Sequence, residues 1–134
     1  MLLIGNGRLI TRSQTNPYLE DGAVVLEGEA VRETGTLTAL RAKYPQARFV
    51  DARGGVIMPG LINVHTHIYS GLARGLAIDG FHPTNFFEVL DGQWWNIDRH
   101  LTLDGTRACA YATILDCIRD GVTTIFDHHA SFGE

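Results

Sequence analysis

Apolar and polar residues alternate in short blocks over the first part of the chain and recur at helical spacing over the last part. Period two is the signature of a strand with one covered face, and spacings of three and four mark a helix. Residues 2–11 read as a strand, a turn at Gly5-Asn6-Gly7 and a second strand from Arg8 to Thr11. A loop over Ser13 to Asp21 follows. Ala23 to Glu27 and Ala30 to Thr34 then form a hairpin around Gly28. Leu37, Leu40, Arg41 and Tyr44 fall at helical spacing, and Pro45 ends that helix. Arg48 to Asp51 is strand-like, and Pro59-Gly60 divides an incoming strand (Gly55 to Met58) from another running from Leu61 to His67. Ile68 to Pro83 reads as a long Gly-containing connection. A helix is expected over Thr84 to Asn96, with Thr84 as its N-cap and Phe87, Leu90 and Trp94 on one stripe. A second runs from Leu103 to Asp120 between the cap Thr102 and the stop Gly121, with Ala108, Tyr111, Ala112, Leu115 and Ile118 as its apolar face. Val122 to Asp127 closes the pattern as a strand. Strand, helix and strand in that order form a βαβ unit, so the fold class is α/β with a parallel pair.

Val56 to His67 is the stretch on which the chemistry turns. It is nearly all apolar and ends in His65 and His67, as expected for a strand covered on both faces that delivers polar groups at its tip. Side chains at i and i+2 share a face, with Cα atoms about 6.5 Å apart. Two imidazoles so placed can converge on one metal ion, which takes nitrogen at about 2.0–2.1 Å. A bare His-x-His arises by chance in about one chain in four of this composition, so its context at a strand tip carries the assignment.

Composition narrows the field. The chain has 134 residues, 45% hydrophobic, and a net charge of −4. That balance gives no basic footprint for nucleic acid, and no apolar run reaches the length of a membrane span. Cys109 and Cys117 are the only cysteines. On one helix they stand about 12 Å apart, too far for a disulfide, and read as core thiols of a reduced, cytoplasmic protein.

Met58-Pro-Gly-Leu-Ile-Asn-Val-His-Thr-His67, followed by Gly71-Leu-Ala-Arg-Gly75, resembles the first barrel strand and loop of the amidohydrolase superfamily. Within it, the chain is similar to the aminohydrolase and chlorohydrolase branch. Gln93-Trp-Trp-Asn-Ile-Asp-Arg99 and Phe126-Asp-His-His-Ala-Ser131 are similar to SsnA-type aminohydrolases. The resemblance implies that residues 1–55 begin a small β-sandwich and that residues 56–134 begin a (β/α)8 barrel, with strands one and two present. A complete barrel needs about 250 residues, so the chain is expected to be the N-terminal portion of a longer enzyme. It implies hydrolytic deamination or dechlorination of a purine, pyrimidine or triazine-like heterocycle through water activated by one divalent ion, zinc or iron. His65 and His67 would be ligands, and the other ligands and the proton-transfer residues would lie on later strands.

Arg74 would position a substrate or hold its loop through a carboxylate, with the structural role preferred. Trp94 and Trp95 would wall a pocket for a flat ring, although such stripes are more often plain core. At most one of His128 and His129 can face the barrel interior, with His129 a candidate substrate contact; the residues do not say which. His82 and His100 read as solvated. Two barrel strands without their partners leave edges open, so these residues are expected to be a homo-oligomer, strand-exchanged, or disordered after about residue 68. Two other readings stay open: a cyclic-amide hydrolase of dihydropyrimidinase or imidazolonepropionase type, and a non-catalytic homologue.

Overall fold

The structure, a computed structural model, describes residues 1–130. The chain is mixed α/β and divides into two compact units, Met1–Pro59 and Gly60–Glu134.

The first unit is a five-stranded sheet. β1 (Leu2–Ile10), β2 (Tyr18–Glu27), β3 (Ala30–Thr36) and β4 (Arg48–Asp51) lie in the order β3-β2-β1-β4, and β5 (Val56–Ile57) also pairs with β1. The β1–β2 and β2–β3 pairs are antiparallel; β4 and β5 run parallel to β1. The hairpin expected around Gly28 is present, with Gly28 at a φ of +61° that favours glycine.

The turn expected at Gly5-Asn6-Gly7 is absent: β1 runs straight through it. Asn6 takes a φ of +60°, and the pairing with β2 shifts between Ile4 and Gly7 and again between Gly7 and Leu9. This is a bulge, and an added residue moves all later side chains to the other face. Leu3 accordingly packs with Ala23, Val25 and Leu40, whereas Leu9 packs with Val24 and Ile57 on the opposite face, where Ile4 also lies. A local Gly-Asn-Gly signal cannot distinguish a turn from a bulge; the neighbouring strands decided it.

α1 (Leu37–Lys43) covers the Leu3 face. Thr36 caps it by accepting the Ala39 N–H, and Leu40 is buried against the sheet.

In the second unit β6 (Leu61–Thr66) and β7 (Val122–Asp127) form the expected parallel pair. 3-10 turns over Ile68–Ala73 follow β6, kinked at Ser70. The first expected helix starts one residue late. Asn85, not Thr84, is the N-cap: its side chain accepts the Glu88 N–H at 3.1 Å while Glu88 reaches back to the Thr84 N–H at 2.6 Å. That reciprocal pairing satisfies two free helix donors at once. The helix also runs on past Asn96, through α2 (Phe86–Val89), a π turn over Leu90–Trp94 and α3 (Trp95–His100).

α4 (Leu103–Arg119) has the expected cap, Thr102 Oγ1 accepting the Gly105 N–H at 3.1 Å, and the expected stop, Gly121 at a φ of +75°. Replacing Thr102 with alanine is expected to cost about 1 kcal/mol, read as a lower urea midpoint. An unaltered midpoint would show that the cap does not hold the helix. The buried face of α4 differs from the expected one. Tyr111, Leu115 and Ile118 are 65%, 59% and 65% exposed, while Thr106, Cys109 and Cys117 are buried. The reason lies in the neighbour. α4 packs closely on the 3-10 turns, where a Cβ on Gly71 would stand 1.9 Å from Thr113 Oγ1, so small side chains meet there. Both cysteines are free thiols. Among the described residues no helix is long and apolar enough to cross a membrane.

Candidate metal centre

β6 carries Asn63, His65 and, just past its last residue, His67 along one face. The two imidazoles converge: their Nε2 atoms lie 3.3 Å apart, with ring planes at 66°. Two nitrogens bound at about 2.0–2.1 Å to one tetrahedral ion stand about 3.3 Å apart, so the pair already has the edge length of such a site. His67 Nδ1 lies 2.7 Å from the backbone carbonyl of His128. A carbonyl only accepts, so Nδ1 carries the proton, and in the neutral ring Nε2 is left with a bare lone pair. This is the ligand-ready tautomer, held by the kind of outer contact usual for metal-binding histidines. His65 can donate its Nε2 proton to that lone pair, and an ion shared by both rings would take the proton's place.

Among the described residues no group of three His, Cys, Asp or Glu side chains is arranged to hold an ion. The described residues therefore fit two ligands of a metal site and supply no third.

A cavity of about 470 Å³ opens beside the pair, bounded by Tyr69, Phe86, Leu90, Trp94, Trp95 and Asp98 as well as the two histidines. The π turn has a consequence here. Leu90 and Trp94, at its two ends, both reach the cavity, as does Phe86 one α turn before Leu90. The Trp94 ring lies 6.4 Å from that of His67, and Trp95 also packs edge-on against Phe87.

The structure brings Trp94 to the histidine pair and places the other candidates elsewhere. Arg74 pairs with Asp116 of α4 at 3.0 Å and is 78% exposed; it borders a neighbouring hollow shared with His67, Gln93 and Trp94. His129 does not line the histidine cavity. Its Nδ1 meets Asp127 at 3.0 Å and its ring lies 4.8 Å from that of Tyr69. His128 instead lies on the His65 side, ring centres 4.6 Å apart. His82 and His100 are exposed. Ser131, the end of the last quoted motif, lies outside the described residues.

Tyr69 and Asp98 were not singled out from the sequence. Both are buried, and the tyrosine hydroxyl donates to the Asp98 carboxylate at 2.8 Å. Burial, reinforced by that carboxylate, pushes the Tyr69 hydroxyl well above its ordinary range. One signal was available, because Tyr69 is two residues past His67 and Asp98 four past Trp94.

The chain is similar to several known proteins. The model of the Amidohydrolase family matches residues 56–132, and an imidazolonepropionase-like composite domain of bacteria matches residues 22–47. The 5'-deoxyadenosine deaminase of Methanosarcina mazei is 31% identical over 94% of this chain and 27% of its own length. The 5-methylthioadenosine/S-adenosylhomocysteine deaminase of Thermococcus kodakarensis is 34% identical over 94% of this chain and 27% of its own. Among solved structures, zinc-complexed atrazine chlorohydrolase TrzN from Arthrobacter aurescens superposes with a TM-score of 0.76 at 31% identity, covering 96% of this chain and 29% of that one. Guanine deaminase of E. coli shares the fold at 21% identity and a TM-score of 0.76. The chain spans less than a third of the length of these relatives. The family's match takes in β5, the histidine-bearing β6 and β7, more than half of all residues, and on that ground the chain belongs to the amidohydrolase family.

Proposed function

We propose that this chain supplies part of the metal site of a hydrolytic deaminase or chlorohydrolase that acts on a purine, pyrimidine or triazine-like heterocycle. The observation that carries the reading is the convergence of His65 and His67 at 3.3 Å beside an aromatic-walled cavity. On this reading the five-stranded sheet begins a small β-sandwich, and β6 and β7 are the first two strands of a (β/α)8 barrel.

His65 and His67 would bind a divalent ion, zinc by preference, whose chemistry would be to make water acidic enough to react near neutral pH. The chain's own residues do the remaining work. His65 and His67 hold the ion through Nε2. Trp94 and Phe86 offer flat apolar faces to a ring and keep bulk water from it. Arg74 clamps the loop to α4 through Asp116. The reaction replaces an amino group or chloride on an electron-poor ring carbon with hydroxyl. We place the protein in the cytoplasm as a homo-oligomer. In residues 1–134 made alone, open strand edges and the exposed apolar residues Ile62, Val64 and Phe126 favour association.

The match of residues 22–47 to an imidazolonepropionase-like domain favours one second reading, hydrolysis of a cyclic amide. Ammonia release from 5'-deoxyadenosine, assayed in the protein translated from the whole reading frame, supports deamination. Ring opening of an imidazolone without ammonia would replace it with the second reading. Two imidazoles are an incomplete shell, so residues 1–134 alone are expected to bind zinc weakly and to release no ammonia. Metal-dependent turnover by that chain would contradict the assignment of the remaining ligands to other strands.

A further inference from the structure

We propose that Asp127 is a positioning residue for His67. This inference rests on the metal-site reading above and concerns how the second ligand is held. His65 lies inside β6, at a register shift against β7, and its N–H donates to Asn63 Oδ1 at 3.3 Å. His67 lies beyond the last strand residue, Thr66, with φ −127° and ψ 78°, and no ladder holds it.

The end of β7 takes over that role. The His128 N–H donates to the carbonyl of Thr66 at 2.8 Å, immediately before His67. Asp127 Oδ1 accepts the N–H of Ile68 at 2.9 Å, immediately after it. The peptide groups flanking His67 are thus both pinned, and the His128 carbonyl takes the proton of its ring at 2.7 Å. Asp127 is itself locked, because its second oxygen meets His129 Nδ1 at 3.0 Å. The His129 ring packs on Tyr69, whose hydroxyl is held by Asp98. Without the Asp127 oxygen the chain after His67 loses an anchor, and the ring can leave the His128 carbonyl and exchange tautomers.

The test reads the imidazole 1H–15N correlations of the 134-residue chain, first without metal and then with added zinc ion. The unaltered chain is expected to show His67 fixed in the Nδ1–H tautomer. Asp127→Ala should give an averaged tautomer and about tenfold weaker zinc binding. Asp127→Asn keeps an oxygen for Ile68 and should restore both. Ile68→Pro removes the donor instead, at the first helical position where proline fits, and should reproduce the alanine result. If Asp127→Ala loses its amide dispersion, Ile68→Pro decides alone. A fixed tautomer and unchanged affinity in the folded alanine and proline variants would overturn the proposal, as would an asparagine variant that behaves like alanine. Failure of the metal-site reading looks different: zinc would shift the His65 ring equally in the unaltered chain and in His67→Ala, while the tautomer readout would still judge Asp127.

Discussion

Zinc affinity of the 134-residue chain is expected to fall by about 100-fold or more when His67 is replaced by alanine, beyond the tenfold to hundredfold typical of losing only an outer contact to a ligand. The substitution removes one of two convergent Nε2 atoms and leaves a single imidazole, which water and buffer outcompete. Calorimetric titration with zinc ion measures it. His100→Ala is the control, since that ring is exposed and bonds the carbonyl of Asn96 on its own helix, at 2.7 Å; its affinity should match the unaltered chain. Equal affinities for all three proteins would end the idea that the pair is a metal site. An effect of His100→Ala as large as that of His67→Ala would place the site elsewhere.

The largest effect on stability is expected from Leu40→Ala. Leu40 is 2% exposed and is the side chain through which α1 covers Leu3, Ala23 and Val25. Such truncations cost about 2–5 kcal/mol, the transfer energy of the lost methyl groups plus the cavity they leave. Gly35 of β3 has no side chain to fill the gap, although a Cβ there would stand only 3.6–3.9 Å from the Leu40 side chain. Leu115→Ala on the exposed face of α4 should change stability by no more than about 0.5 kcal/mol. Urea unfolding read at both positions checks the pair. A mild Leu40→Ala alongside a severe Leu115→Ala would mean that the covered faces of both helices are wrongly assigned.

These two leucines mark where the sequence reads well and where it does not. Helical spacing of Leu37, Leu40, Arg41 and Tyr44, with Pro45 behind them, predicts the existence of α1, and the helix buries the apolar part of that stripe through Leu40. The same logic applied to α4 selects Tyr111, Leu115 and Ile118, yet the covered residues are Thr106, Cys109 and Cys117. Periodicity identifies a stripe that could be buried; what lies opposite decides which one is. Around Asn6 the local signal was equally present and equally insufficient, since a bulge and a turn use the same residues and only the register against β2 separates them.

By itself the sequence determined the strand-tip histidine pair, the cap at Thr102 and the hairpin at Gly28, because each depends on neighbours within a few residues and on fixed backbone periods. Tertiary structure alone decided that the His128 carbonyl sets the tautomer of His67, that Asp127 anchors the chain behind it, that Trp94 rather than His129 borders the pair, and which face of α4 is covered. Those contacts join positions far apart in the chain, up to 61 residues for His67 and His128, and no local pattern of residues encodes such a distance.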